Sequence, residues 1–430
     1  MSSNVIASVR GRRVWDSRGR PTVEAEVTLA GGAVGRAIAP AGASMGSGEA
    51  VELRDGGADF GGMGVARAVA HVNDAIAKRL SGLDAADQTA IDAALIALDG
   101  TKDKSHLGGN AMIATSMAVL HAAAASKGLP LWRHLAESTG ATPRLPMPMI
   151  QIFGGGAHAA GRLDIQDFLV IPLAADGFDR ALAMCAEIYR AAGQIMADQG
   201  KRAGVADEGG WWPDFADNEE AIATLARAIE AAGFRPGDEV GIALDVAATE
   251  LRRNGAYRLG RDALATDAMI ARLGQWLGRY PIVSIEDPLA EDDWDGMARF
   301  AAAHGSIQIV GDDLLVTDAA RVGRAIAAKT CNAALIKPNQ AGTITETRAA
   351  FEAARRSGMA TVISARSGES EDTTIVHLAV GWDAGQLKVG SFARSDRMAK
   401  WNEGLRIAEA LGDAAFAGRA ALAPRHPSTR

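Results

Sequence analysis

The sequence predicts an α/β protein: a barrel of parallel strands preceded by a smaller α+β domain. Three observations predict it. Beyond about residue 150, short apolar runs alternate with long alanine-rich stretches of helical period, as strands joined by crossover helices do. The first third reads differently, with β alternation followed by helices. The chain of 430 residues, 48% hydrophobic and 23% charged, exceeds one ordinary core and supplies material for two. A doubly wound open sheet is the structural alternative. It wants a glycine-rich phosphate turn after its first strand, and none stands in that context.

The N-terminal elements come first. Thr22 to Leu29 alternates as a strand, with Val23, Ala25 and Val27 on one face and Glu24 and Glu26 on the other. A loop of small residues runs from Pro40 to Gly48. Alanine-rich helices are expected from about Val65 to Leu80 and from Asn110 to Lys127. The proline-punctuated stretch Arg144-Leu-Pro-Met-Pro-Met149 reads as a boundary between an N-terminal domain of residues 1–143 and a C-terminal domain of 144–430. The strand runs of the second domain are Asp167–Pro172, Val240–Asp245, Pro281–Asp287, Ile307–Asp313, Ala333–Lys337, Ala360–Arg366 and Gln386–Val389. This many parallel units suit a barrel.

Bulk properties narrow the function. A formal charge of -7 argues against nucleic acid as the main partner but leaves an anionic substrate open, because a local cluster of cations outweighs a mild net charge. No apolar run is long enough to span a bilayer, and Met1 to Arg10 lacks the apolar centre of a secretory signal. No membrane partner is therefore expected, and a cytoplasmic location is expected from the two free thiols that follow. Cys185 and Cys331 lie in apolar or helical stretches and read as buried free thiols.

Chemistry gathers at the strand ends. Ile242-Ala-Leu-Asp245, Ile282-Val-Ser-Ile-Glu286 and Ile307-Gln-Ile-Val-Gly-Asp312 each end in a carboxylate; Ala334-Leu-Ile-Lys337 ends in a lysine, and Gln386-Leu-Lys388 holds another. In a parallel barrel such ends converge on one mouth. One aspartate after a strand is more simply a helix cap, but five charged placements on five runs are not, and lysine does not cap helix N-termini. Three carboxylates without a histidine–cysteine set make a hard oxygen site, which magnesium fits. A lysine beside that cation should have a lowered pKa and serve as a general base. A metal with a lysine base is what abstraction of a proton next to a carboxylate requires.

These residues resemble the enolase family along nearly the whole chain. The resemblance rests on Asp16-Ser-Arg-Gly-Arg-Pro-Thr-Val-Glu24, Gly42-Ala-Ser-Met-Gly46, Glu49-Ala-Val-Glu-Leu-Arg-Asp55, Asp207-Glu-Gly-Gly210, Ser284-Ile-Glu-Asp-Pro288 and Glu291-Asp-Asp-Trp294. It continues through Val310-Gly-Asp-Asp-Leu314, Lys337-Pro-Asn-Gln340, Ser367-Gly-Glu-Ser-Glu-Asp372 and Arg394-Ser-Asp-Arg397. It implies an enolase-type α/β barrel under an N-terminal capping domain, and a magnesium-dependent carbon–oxygen lyase. It further implies that Asp245, Glu286 and Asp312 hold one Mg2+, while Ser44 helps complete a second that is bound with substrate. Lys337 would remove the C2 proton, Lys388 would face the substrate carboxylate, and Glu208 would assist departure of the C3 hydroxyl. His158 and Asp167 would belong to the same catalytic group. Arg366 and Ser367 would take the phosphate, with Gln166 also on the substrate. The implied partner is a small anionic carboxylic acid bearing phosphate or phosphonate, and the implied assembly is a homodimer or a ring of dimers.

Several departures from the family pattern cluster at this site. Ala365 stands where the family has histidine, Asp167 where it has glutamate, and Met45 where it has threonine. The family's Asn-Gly-Gly-Ser-His is Gly154-Gly-Gly-Ala-His158 here, and Trp211 and Trp212 replace smaller residues. Three readings follow. The first is dehydration of 2-phospho-D-glycerate to phosphoenolpyruvate. The second is an enolase-like enzyme of phosphonate or other secondary metabolism, of the kind of carboxyphosphonoenolpyruvate synthase, acting on a relative of phosphoenolpyruvate. The third, a non-catalytic binding protein, is opposed by the retained lysines and carboxylates.

Overall fold

In the computed structural model, residues 4–412 and 415–422 are described. Strands β1 (Ile6–Trp15), β2 (Pro21–Leu29) and β3 (Val34–Ile38) form an antiparallel meander in that order. The alternation in β2 buries Val23, Ala25 and Val27 against the helix Gly109–Ser126, which is apolar nearly all round and correspondingly buried. That helix approaches so closely that a Cβ at Gly35 would lie 2.1 Å from the backbone of Ala118 and of Ala122. The helix expected over Val65–Leu80 is present but irregular, with a π-helical segment at Val72–Ile76 between α-helical ends.

The second unit is a closed eight-stranded barrel. Its strands are β4 (Met147–Gly154), β5 (Asp167–Ile171) and β6 (Gly241–Asp245), then β10 (Ile282–Glu286), β11 (Gln308–Gly311), β12 (Ala333–Ile336), β13 (Ala360–Ser364) and β14 (Gly385–Gly390). A small antiparallel sheet, β7 (Arg252–Arg253), β8 (Ala256–Leu259) and β9 (Asp262–Leu264), lies between β6 and β10 in the chain. Inside the ring, Met147, Met149, Leu169, Ile171, Val310, Leu335 and Val362 form an apolar plug. Gln308 and Gln386 exchange amide hydrogen bonds of 2.9 and 2.8 Å across it.

Two expectations are corrected. The expected strand runs begin at Asp167, but Met147–Gly154 is already a barrel strand. The strands are also not all parallel: β5 runs antiparallel to both β4 and β6. Residues 155–166 join β4 to β5 with one turn of 3-10 helix and no α-helix of the kind that usually carries a crossover between parallel neighbours. The reversal puts the first residue of β5, not its last, at the mouth, with Asp167 in register with Asp245.

The capping unit is seated on that mouth. Ala41 and Gly368 exchange backbone hydrogen bonds of 2.8 and 2.9 Å, and Ser17 N donates to Glu369 O at 2.7 Å. Away from the mouth, buried Asp92 accepts from Ser116 Oγ at 2.6 Å and from Thr345 N at 2.8 Å, tying helices of the two units together. Both cysteines are free and buried, as expected.

Candidate active site

Each strand end delivers its side chain to the same cavity or its rim. Asp245 and Glu286 are the last residues of β6 and β10, Asp312 follows β11, Lys337 follows β12, and Lys388 lies in β14. All five are buried. Lys388 Nζ donates to Asp245 Oδ2 at 2.6 Å and to the two Glu286 oxygens at 3.0 and 2.9 Å, and it lies 3.5 Å from Asp167 Oδ2. Lys337 Nζ pairs with Asp312 Oδ2, whose other oxygen accepts from Gln340 Nε2 at 2.9 Å. Asp312 also draws close to Asp287 and Asp313, forming a compact acidic group.

On the other side of the ring is a second cluster. Strands β12 and β5 stand four apart in the eight-stranded order, so Lys337 and Asp167 come from opposite walls. Asp167 Oδ1 accepts from His158 Nδ1 at 2.8 Å, and His158 Nε2 is 3.7 Å from Glu208 Oε1. His158 sits in the turn Gly156–Ala159, and its carbonyl accepts from Asp207 N at 3.0 Å, which fixes the Glu208 loop beside it. The cavity between the clusters measures about 20 Å³, room for one water, and Ser44, Gln166, Ala365, Arg366 and Ser367 complete its lining.

Electrostatics follow from burial in a crowd of charges. Burial would lower the Lys337 ammonium, but Asp312 and Glu286 more than offset it and hold the group above its usual range. That shift belongs to a lysine paired directly with Asp312. Lys388 is held well above its range, with Asp245 and Glu286 overcoming burial. Burial, and then Asp245, push the Glu286 carboxyl well up. His158 loses by burial but gains more from Asp167 and Glu208, and reaches about 9. Glu208 is raised by burial, opposed by His158 and reinforced by Asp167.

The donor set fits a hard divalent cation. Eight buried carboxylates (Glu49, Asp167, Glu208, Asp245, Glu286, Asp287, Asp312 and Asp313) face the buried cations Lys337, Lys388, Arg366 and His158. Gln166 Oε1 is buried without a hydrogen-bond partner, and its amide nitrogen lies 3.3 Å from Asp245 Oδ2. Oxygen ligands and excess negative charge are what magnesium takes.

The remaining expected residues are partly elsewhere engaged. Arg366 lines the cavity, but its guanidinium donates to Glu49 Oε2 at 2.7 Å, to Asn339 Oδ1 at 3.2 Å and to the Ser44 carbonyl at 2.9 Å. Ser367 Oγ accepts from Arg18 at 3.1 Å. Trp211 and Trp212 are not cavity residues: Trp211 stacks on Tyr189 with ring centroids 4.6 Å apart. Sequence reasoning missed Glu49, Gln340 and Gln151, neutral or solitary groups whose role lies in holding another side chain. Glu49 falls within a motif quoted above; nothing in the pattern singled out Gln151.

Fold and site define a class: a capped α/β barrel with carboxylates and lysines converging at its mouth. Family models agree, with residues 6–135 matching "Enolase, N-terminal domain" and residues 142–425 matching "Enolase, C-terminal TIM barrel domain". "Enolase 1" of Desulfitobacterium hafniense is 50% identical over 416 residues, covering 95% of each chain. "Enolase" of Acidothermus cellulolyticus is 49% identical over 420 residues, covering 97% of each. The chain belongs to the enolase family.

Proposed function

We propose that this chain dehydrates 2-phospho-D-glycerate to phosphoenolpyruvate with magnesium as its metal. The observation that carries the reading is the pair of facing clusters, a lysine–carboxylate side and a His158–Glu208 side, across one small cavity. In this reading Lys337 Nζ takes the C2 proton, and Lys388 meets the charge that develops on the substrate carboxylate. Glu208, biased by burial toward its protonated form, gives its proton to the C3 hydroxyl, which leaves as water. His158, charged across neutral pH, stands behind Glu208. Arg366 and Ser367 exchange present contacts for phosphate oxygens, and Gln166 reaches the substrate. Asp245, Glu286 and Asp312 would hold one Mg2+, and Ser44 would help hold a second alongside substrate. Magnesium held there would supply positive charge against the enolate-like carboxylate.

The same reading takes residues 1–143 as the cap and 144–430 as the catalytic unit. It makes the protein a cytoplasmic homodimer or ring of dimers, in keeping with the family. Among the described residues no helix is long and apolar enough to cross a membrane. The test is phosphoenolpyruvate absorbance with 2-phosphoglycerate: activity should vanish with EDTA and return with Mg2+. Full turnover in metal-free protein would overturn the metal assignment.

One observation favours the second reading, a phosphonate-type relative of the substrate: Ala365 lines the cavity beside Arg366, where a methyl group cannot donate to an anionic oxygen. A charge-assisted hydrogen bond contributes about 1.5–3 kcal/mol, or about ten- to a hundredfold in rate if made only in the transition state. Ala365→His should therefore raise kcat/KM for 2-phosphoglycerate. A wild-type rate already typical of the family and unimproved by the histidine would leave Ala365 as tolerated change.

A further inference from the structure

We propose that Gln151 is a positioning residue for the elimination step, matched in length to the shortened Asp167; the proposal rests on the dehydratase reading above. Gln151 lies on β4, is fully buried, and makes two directional contacts. Its Nε2 donates to Asp167 Oδ1, the oxygen that also receives His158 Nδ1. Its Oε1 accepts from Gly210 N at 2.9 Å, two residues beyond Glu208. One side chain thus fastens both the residue that orients His158 and the loop that carries Glu208. The contact with the loop is close: a Cβ on Gly210 would lie 2.5 Å from Gln151 Oε1.

The length argument follows from the backbone. Strands β4 and β5 are paired, with Gly154 opposite Asp167 and a register shift between Gln151 and Phe153. The distance to be bridged is therefore set by the sheet, and three methylenes, two from Gln151 and one from Asp167, bridge it. Asp167 contributes the shorter part of that span, so most of the reach is supplied from Gln151. Gly154 keeps the neighbouring backbone close for a separate reason: a Cβ there would lie 2.5 Å from the Ala206 Cβ. Asp167→Glu alone would put an extra methylene into a filled interior, whereas moving that methylene from Gln151 to residue 167 conserves the span.

The test uses the full chain with Mg2+ and 2-phosphoglycerate, reading C2 proton exchange with deuterated solvent and phosphoenolpyruvate formation separately. Gln151→Asn should lower phosphoenolpyruvate formation by about a hundredfold, the usual scale for an ångström of misplacement, with KM and exchange little changed. The double variant Gln151→Asn with Asp167→Glu should regain most of that loss. Equal loss of exchange and elimination in the single, or a double no faster than the single, would overturn the proposal. Should Gln151→Asn not fold, Gln151→Met, which keeps the length and removes both polar contacts, must show the same selective loss of elimination, and an unchanged ratio would overturn it equally. A wild type showing neither exchange nor product would instead bring down the dehydratase reading, and this proposal with it.

Discussion

Lys337→Ala is expected to abolish C2 proton exchange and product formation together, by about 10⁴-fold, the upper range for loss of a general base. The upper range applies because no other described amine could take over: Lys388 is held by Asp245 and Glu286 on the neighbouring side of the mouth. Asp312 would also lose its ion-pair partner. The measurement is deuterium incorporation at C2 by NMR beside phosphoenolpyruvate absorbance, with far-ultraviolet circular dichroism as the folding control. Exchange at the wild-type rate in folded Lys337→Ala would remove the lysine from the base role.

The second large effect is expected at Glu208. Glu208→Gln keeps the shape beside His158 and removes the transferable proton. Elimination should fall by about 10²–10³-fold while C2 exchange continues, because the two residues act on different bonds. The pH dependence has a definite sign. An acid catalyst works in its protonated form, so wild-type elimination should decline as pH rises through the upshifted Glu208 pKa. The glutamine variant should lack that decline. Parallel loss of exchange and elimination in Glu208→Gln would refute the division of labour.

Much of this arrangement was legible in the residue order, and the parts that were not have physical causes. Charged residues at strand ends are visible because strand length and the following helix fix them, and Asp245, Glu286, Lys337 and Lys388 all arrive buried at the mouth. Strand direction is not visible, since alternation of apolar residues reads the same either way; the reversal of β5 came only with its pairing to β4 and β6. β4 itself was hidden by Pro146 and Pro148. The direct pairing of Lys337 with Asp312, which holds the ammonium up, is something residue spacing does not reveal. Trp211 looked like a pocket residue because of its neighbours in sequence, yet its ring turns away to Tyr189. Gln151 carried no signal: an uncharged amide in an apolar strand shows its use only when both partners are in view.

The ammonium of Lys388 lodged between Asp245 and Glu286 bears on how so many like charges share one barrel mouth. Here Lys388 and Lys337 act as built-in counterions that hold the acidic strand ends together from within the chain. Part of the electrostatic cost of bringing these strand ends together is thus offset within the polypeptide itself.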